Sequence, residues 1–226
     1  MTKKLTSGFA FLCALFLMTA CCEKSSTIEL FNGKDLTGWK YFVAEGGDEV
    51  ANSVYTVKDG VIHIVGEPFG CMYTEQAYAD YDLHVEWRFP NPEQAEHPGK
   101  LNSGIFLHVQ PAHKLWPNSI ECQLFSSRVG DFVLLGGSDL AEFVVPEGEE
   151  RPEYPVVKRF EESSENPLGE WNSADIRCEG DQITVIINGV LQNIGTKSMY
   201  SNGSIGLQSE GAPIEFRNIT LTPIKK

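Results

Sequence analysis

Short segments of alternating polar and apolar residues, separated by turn sequences, run through most of this chain. In residues 82–89 (DLHVEWRF), polar and apolar side chains alternate with few exceptions. Because successive side chains of a β-strand point to opposite faces, this alternation indicates strands with one buried face. No long stretch has a convincing helical apolar period. Strands separated by turns at a spacing of about 8–12 residues predict an all-β sandwich with little helix.

Turn sequences locate the ends of these strands. Residues 55–65 (YTVKDGVIHIV) have two β-rich arms around Lys58-Asp59-Gly60, which predicts a hairpin. Residues 136–168 contain four prolines and little pattern, so we expect a long loop that is functional or mobile. The later predicted strands, three of which form a meander, are residues 171–179, 182–187, 190–192, 203–209 and 214–223.

The N-terminus has the features of an export signal. Two lysines precede an apolar run at residues 9–18, which is too short for a comfortable membrane span. The run ends in Met-Thr-Ala-Cys, which resembles a bacterial lipobox with Cys21 as the lipidated residue. We therefore expect a lipoprotein-type signal peptide at 1–20, a tether at 21–27 and a single domain at 28–226. This predicts an exported lipoprotein of a bacterial outer membrane, periplasmic or at the cell surface, with cleavage without lipid as the alternative.

Charge and cysteine spacing exclude several classes of function. The net charge is −13, and an acidic chain without a basic stripe is a poor partner for nucleic acid. The six cysteines include no C-x-x-C pair, so neither a zinc site nor a disulfide framework is supported. Pairing of Cys122 with Cys178 stays open, but their positions on apolar strand faces favour buried free thiols.

Three predicted strands combine an apolar face with a face that carries ionisable and amide groups. They are residues 82–89, 104–110 and 119–125. The side chains on the polar faces include His84, Glu86, Arg88, His108, Gln110, Glu121 and Gln123. If the three strands are neighbours, these groups converge on one wall of a sheet. The pattern then predicts an acid/base site, with a weak surface ion pair between Glu86 and Arg88 as the alternative.

Six separated motifs also resemble a known family. They are FNGKDLTGW, DYDLHVEWRF, NSGIFLHVQ, IECQLF, GEWNSADIRCEGDQITVIINGV and IGLQSEGAPIEFRNITL. Together they span about residues 27–224 and resemble the family first called domain of unknown function 1080, now described as 3-keto-disaccharide (3-keto-glycoside) hydrolase. The resemblance implies a concanavalin A-like jelly roll of two antiparallel sheets, one of them concave, with a carbohydrate as substrate.

The implied chemistry follows from the ketone at carbon 3 of the sugar. The ketone acidifies the proton on carbon 2, and the glycosidic oxygen on carbon 1 can then leave by elimination before water adds. This route needs a base, an acid and a group that stabilises the enolate. On the resemblance, Glu86 and Glu121 are the acid/base candidates, in either order, and His108 polarises the keto oxygen or shuttles a proton.

Other polar and aromatic residues of these motifs suit substrate binding. Arg88 could stabilise negative charge, and amide or hydroxyl groups could bind sugar hydroxyls, while two tryptophans offer flat faces for a sugar ring. The binding candidates are Arg88, Asn102, Ser103, Gln123, Trp116, Trp171, Asn172, Gln208 and Glu210.

Two other functions and one cation site remain open from the sequence. A conventional glycosidase would need a carboxyl pair at a suitable separation, and a carbohydrate-binding module would use the same groove without chemistry. No cofactor motif is present, although a divalent cation held by His108, Glu86 and Glu121 is an open alternative. Because no nicotinamide fingerprint is found, the oxidation that makes a 3-keto sugar would belong to a separate sugar 3-dehydrogenase, a natural pathway partner.

Overall fold

The computed structural model describes residues 26–90, 101–111 and 113–225. Within these residues, sixteen strands form two antiparallel sheets and one short helix is present. The predicted all-β sandwich is therefore confirmed. The helix of the described residues is too short to cross a membrane. The predicted signal peptide, Cys21 and most of the tether lie outside the described residues.

The strands are short and follow the predicted turns. In chain order they are β1 (Ile28–Glu29), β2 (Trp39–Val43), β3 (Tyr55–Lys58), β4 (Val61–Ile64), β5 (Gly70–Thr74), β6 (Tyr78–Ala79), β7 (Tyr81–Arg88), β8 (Gly104–Val109), β9 (Ser119–Gln123), β10 (Phe132–Leu135), β11 (Val156–Val157), β12 (Asn172–Glu179), β13 (Gln182–Ile187), β14 (Val190–Gly195), β15 (Asn202–Ser209) and β16 (Ile214–Pro223). The helix α1 is Gly47–Val54. The predicted hairpin is β3–β4 and the predicted meander is β12–β13–β14.

Each sheet contains eight strands. Sheet 1 has the order β14-β13-β12-β7-β16-β4-β3, with β1 paired to β16. Sheet 2 has the order β11-β10-β9-β8-β15-β5-β2, with β6 paired to β15. The apolar faces of both sheets meet in one large core, which includes Val85 and Trp87 from sheet 1 and Ile105 and Leu207 from sheet 2. Burial of this apolar surface is the main favourable term in the stability of such a sandwich.

Sheet 2 also carries apolar residues on its outer face. We call this group the outer apolar cluster; its buried members are Cys71, Phe106, Val109, Val133 and Leu135, with Phe42, Tyr73 and Trp116 packed against them. A buried cluster on the outside of a sandwich requires cover, and residues 113–117 between β8 and β9, which include Trp116, contribute to it. The outer face of sheet 2 therefore carries a covered apolar cluster. None of the residues of this cluster comes from sheet 1.

The cysteines of the described residues agree with the preferred prediction. Cys71, Cys122 and Cys178 are all buried and all free. Cys122 and Cys178 both lie in the main core between the sheets, as their places on apolar strand faces predicted.

Candidate functional site

The three strands with polar faces do not lie side by side. Strands β8 and β9 are neighbours in sheet 2, but β7 lies in sheet 1 between β12 and β16. Because the polar faces of β7 and β9 both point away from the shared core, Glu86 and Glu121 lie on opposite sides of the sandwich. The predicted single wall of ionisable groups is therefore wrong. Alternation determines which side chains face the core, but it carries no information on which sheet a strand joins.

Glu86 belongs to an ion-pair network on the outer face of sheet 1. Its carboxylate accepts hydrogen bonds from Arg217 Nε at 2.6 Å and from Asn218 Nδ2 at 2.7 Å. Partial burial raises the pKa of Glu86, but these two hydrogen bonds outweigh it and the net pKa is lowered. Glu86 is thus an ionised structural partner of Arg217 rather than a proton donor at neutral pH.

Arg88 and Trp171 extend the same network. The Trp171 ring lies between two guanidinium groups, with Arg217 Cζ at 3.9 Å and Arg88 Cζ at 4.6 Å from its centroid. Arg88 Nε also donates to Glu215 Oε2 at 2.7 Å. Cation–π and ion-pair contacts therefore occupy Arg88 and Trp171, which the sequence assigned to substrate binding.

His108 points into the core of the sandwich. A register shift between Ser204 and Gly206 of β15 marks a bulge in β8, and His108 has a left-handed φ of 53° there. Since the Tyr200 carbonyl oxygen, 2.9 Å from Nδ1, can only accept, Nδ1 carries the hydrogen. The ring packs edge-on against Tyr81 at 5.6 Å, and burial lowers the pKa of His108. The bulge inserts one residue and so reverses the side to which this side chain points.

The same geometry removes the suggested cation site. Glu86 lies on the outer face of sheet 1, His108 lies in the core, and Glu121 lies on the outer face of sheet 2. In residues 26–90, 101–111 and 113–225, no group of three or more His, Cys, Asp or Glu side chains is placed to hold a metal ion.

Six of the predicted residues do come together, in a cavity of about 220 Å³ on the outer face of sheet 2. We call it the Glu121 cavity. These six are Asn102, Trp116, Glu121, Gln123, Gln208 and Glu210. Its remaining lining residues are Arg128, Val133, Leu135, Tyr154 and Val156. Aliphatic side chains thus form one part of the wall and carboxyl and amide groups another, which is the usual composition of a small-molecule site.

The position of Glu121 depends on Gly104. Glu121 on β9 stands opposite Phe106 on β8 and Val133 on β10, so it projects outward from the middle of the sheet. Its carboxyl group leans over Gly104, and a Cβ atom at that position would clash with it. The glycine therefore provides the room in which the carboxyl group lies, as close backbone approach at a strand glycine often does.

Two carboxyl groups with different surroundings share this cavity. Glu121 is only 2% exposed, and burial together with the charge of Glu210 raises its pKa well above the usual range. Glu210 is partly exposed, and burial raises its pKa as well. Burial thus favours the protonated form of both carboxyl groups, and Glu210 is the more exposed of the two. Two carboxyl groups whose environments separate their protonation states are a common arrangement for acid/base catalysis.

The cavity also contains acceptor oxygens without donors. Asn102 Oδ1, Glu121 Oε1 and Gln208 Oε1 are buried and have no hydrogen-bond partner within the described residues. Gln123 Oε1 accepts from the Phe125 amide at 2.8 Å, so the NH₂ group of Gln123 is the donating part of its side chain. Because buried polar atoms are normally paired, these three oxygens are available to accept hydrogen bonds from a molecule in the cavity.

A family model for the 3-keto-alpha-glucoside-1,2-lyase-like domain matches residues 26–222. The chain belongs to this family. The suspected resemblance is thereby confirmed, and the chain is a carbohydrate-active domain. A search of curated protein sequences gives no match.

Solved structures similar to this 3-keto-alpha-glucoside-1,2-lyase-like domain share its fold. A protein from Parabacteroides distasonis named as a candidate glycosyl hydrolase has a TM-score of 0.62 at 20% identity, over 88% of this chain and 94% of that one. The carbohydrate-binding module CBM66 from Bacillus subtilis has 0.56 at 13%, over 82% and 96%. The laminarinase catalytic domain from Thermotoga maritima has 0.55 at 12%, over 90% and 99%. At these identities the likeness shows the fold, and the predicted concanavalin A-like jelly roll is confirmed.

Two predicted binding residues have structural contacts in this family member. Ser103 Oγ is buried and donates to the Gln208 carbonyl oxygen at 2.8 Å, so it ties the strands beside the cavity together. Asn172 Oδ1 accepts from the Asn166 amide and from Asn188 Nδ2, both at 2.7 Å. These contacts fix the loop before β12 on the side of sheet 1, away from the Glu121 cavity.

Arg128 and Tyr154 line the Glu121 cavity but were not predicted from the sequence. Arg128 lies in the turn between β9 and β10, with Cζ 4.2 Å from the Phe125 ring centroid. Tyr154 belongs to residues 136–168, the segment that was predicted to be a functional or mobile loop. The loop prediction pointed to the right segment, but nothing local singles out Tyr154 because its place in the cavity depends on long-range packing.

Proposed function

We propose that this domain cleaves 3-keto-glycosides in the Glu121 cavity, by elimination of the glycosidic oxygen followed by addition of water. Family membership supports the substrate class. The observation that carries the proposal is the pair of carboxyl groups, one buried with a raised pKa and one partly exposed, that share a cavity with unpaired acceptors.

Glu210 is the base in this reaction and Glu121 is the acid. The Glu210 carboxylate removes the proton from carbon 2, and the electron pair forms the enolate of the carbon 3 ketone. The enolate then expels the oxygen on carbon 1, which takes the proton of Glu121 as the carbon–oxygen bond breaks. Water adds to the resulting enone in the reverse sense, with Glu121 accepting a proton from water and Glu210 returning one to carbon 2.

The other polar groups of the cavity have roles that follow from their charge. The NH₂ group of Gln123 and the guanidinium of Arg128 are two donors among its lining residues, and both can stabilise the enolate oxygen. Asn102 Oδ1 and Gln208 Oε1 accept hydrogen bonds from sugar hydroxyls, which pairs their buried oxygens. The Trp116 ring at the edge of the cavity offers a face for a pyranose ring.

The test compares a 3-keto-disaccharide with its unoxidised parent. The purified protein should cleave only the keto sugar, and Glu121→Gln and Glu210→Gln should each lower kcat by about 10²–10⁴-fold, the usual range for loss of an acid/base group. Glu86→Gln is the matched control, because it makes the same change on the opposite side of the sandwich and should keep activity. Cleavage of both sugars would identify a conventional glycosidase, and binding without cleavage a binding module.

Isotopic labelling tests the elimination step itself. A 3-keto-disaccharide with deuterium on carbon 2 should react more slowly than the unlabelled sugar, and deuterium should be lost to water to the extent that Glu210 exchanges with solvent before it returns a proton to carbon 2. Retention of the deuterium in the product, with no isotope effect, would contradict elimination because a direct displacement leaves carbon 2 untouched.

A further inference from the structure

The described chain enters the sandwich at one end of sheet 1. Ile28 of β1 stands opposite Leu221 of β16, and the hydroxyl oxygens of Thr27 and Thr222 are 3.0 Å apart. Leu221 and Thr222 are among the last residues of β16, which ends at Pro223. The N-terminal segment therefore leaves the fold where β16 ends, and we call this end of the molecule the tether end.

Two other connections of the fold lie at the tether end. The Asp80 carbonyl oxygen accepts from the Ile224 amide at 2.8 Å, just beyond the end of β16, and Asp80 Oδ1 accepts from the Gly180 amide at 2.6 Å. The Asp181 carbonyl oxygen in turn accepts from the Ser198 amide at 2.9 Å. The turn between β12 and β13 and the segment between β14 and β15 are thus both at the tether end.

The Glu121 cavity lies toward the opposite end of the sandwich. Strand β15 starts at the tether end, because Asn202 pairs with Ala79, the neighbour of Asp80. It runs away from that end for eight residues, a length of about 25 Å, and Glu210 follows it directly. Glu210 forms a bridge with Asn102, and both line the Glu121 cavity. The proposed base is therefore at the far end from the tether.

The tether is short compared with the sandwich. Six peptide bonds separate Cys21 from Thr27, so these two residues can be at most about 22 Å apart. If Cys21 carries lipid, the tether end stays within about this distance of the bilayer surface. The far end is held farther away unless the molecule lies on one of its broad faces.

The tether end and the broad faces expose different side chains. Lys197 and Met199 flank Ser198 at the tether end, and both are exposed, Met199 by 53%. An ammonium group beside an apolar side chain suits contact with a lipid surface, which attracts the charge and takes up the apolar group at its interface. The outer face of sheet 1 instead carries ion pairs such as Glu86 with Arg217, which would lose water if that face lay on lipid. The exposed chemistry therefore favours an upright orientation.

We infer that the tether end faces the membrane and that the far end, with Glu210, points into the aqueous phase. The partner of the tether end is then a lipid surface. The inference depends on the predicted lipidation of Cys21 and is independent of the proposed function, because it concerns orientation rather than chemistry. It implies that a ligand reaches the Glu121 cavity from the water side, without passing between the protein and the bilayer.

The test compares dyes at the two ends of β12. Asp181→Cys places a thiol-reactive dye in the turn after β12, at the tether end, and Glu170→Cys places it before β12, at the far end. Both substitutions remove an exposed acidic side chain, so the two variants are matched. Both also carry Cys22→Ser, which leaves only buried thiols among the other described cysteines.

The full lipoprotein, made in a bacterial host that processes lipoproteins, is placed in vesicles of phosphatidylcholine and phosphatidylglycerol with nitroxide-labelled headgroups. The dye at residue 181 should lose a larger share of its fluorescence than the dye at residue 170. Equal losses, or a larger loss at residue 170, would overturn the inference. No loss at either residue would also overturn it, because the chain would then not be held at the membrane. Adding Cys21→Ser should abolish the loss at both residues.

Hydrogen exchange on the unlabelled protein gives a second measurement, in case a labelled variant fails to fold. Anchoring in the same vesicles without nitroxide should slow the exchange of amides in residues 180–182 and 197–201 and leave residues 169–172 unchanged. Cys21→Ser mixed with the vesicles is the reference. Slower exchange in residues 169–172, or no change at any of these amides, would refute the inference.

Discussion

The Glu121 carboxyl group lies over Gly104, in the space that a side chain at position 104 would fill. Two neighbouring strands thus cooperate in one feature of the site, since β9 supplies Glu121 and β8 supplies the room for its carboxyl group. This relationship can be tested without changing any functional group.

Gly104→Ala should lower kcat strongly while the protein stays folded. Gly104 lacks the positive φ that would strain an alanine, so the backbone tolerates the change, but the methyl group displaces the Glu121 carboxyl. A displacement on the order of 1 Å at a reacting group can cost about 10²-fold in rate. The measurement is kcat on a 3-keto-disaccharide together with the melting temperature.

A double-mutant cycle isolates the contact. In a Glu121→Ala background, Gly104→Ala should have little further effect on stability, because the group with which it clashes has been removed. Equal destabilisation in both backgrounds would show that the methyl group disturbs the sheet rather than Glu121.

Glu121 should make the protein less stable as pH rises. The pKa of this buried carboxyl is raised in the folded state, so the folded state holds the proton more tightly than the unfolded state. Its contribution is fully present below the unfolded pKa and is lost as pH rises toward the folded pKa. The melting temperature of Glu121→Gln should therefore fall less than that of the wild type between acidic and alkaline pH. Parallel curves would contradict a protonated Glu121.

His108 should make the protein less stable as pH falls, which is the opposite of the effect expected for Glu121. Burial lowers the pKa of its ring in the folded state, so unfolding allows proton uptake and stability is lost as pH falls below the unfolded value of about 6.5. His108→Asn keeps a residue that tolerates the left-handed backbone and removes this titration. Its melting temperature should depend less on pH between neutral and mildly acidic conditions. A variant as acid-sensitive as the wild type would argue against a buried neutral imidazole.

Glu86→Gln should leave activity intact and lower the free energy of unfolding by about 1 kcal/mol or less, the usual range for partly exposed ion pairs. The reason is its pairing with Arg217 and Asn218 on the outer face of sheet 1. Chemical denaturation and the keto-sugar assay measure the two effects. A loss of turnover as large as that of Glu121→Gln would restore Glu86 to the catalytic site.

Cys21→Ser tests the predicted lipid anchor. In a bacterial host that processes lipoproteins, the wild-type chain should fractionate with membranes and the variant should not, since the thiol is the attachment point of the lipid. Cys22→Ser is the matched control. Membrane association of both variants would contradict lipidation at Cys21.

Local pattern predicted the strands well because alternation and turn residues are local signals. It also placed Glu121 and Gln123 on the polar face of a strand. It failed for Glu86, whose strand could join either sheet with the same burial pattern. It failed for His108 because one inserted residue in β8 reverses the direction of that side chain. Nothing in the sequence marks the insertion, since GIFLHVQ alternates as regularly as DLHVEWRF.

The reactivity of the three buried free thiols also provides a measure of when the fold opens. Burial raises the pKa of Cys71 and of Cys178 to about 12 and that of Cys122 higher still, so the reactive thiolate is scarce while the sandwich is closed. A thiol-specific reagent would therefore label each cysteine only when the surrounding strands separate. Labelling of Cys122 and Cys178 would report the separation of the two sheets, and labelling of Cys71 would report the opening of the outer apolar cluster.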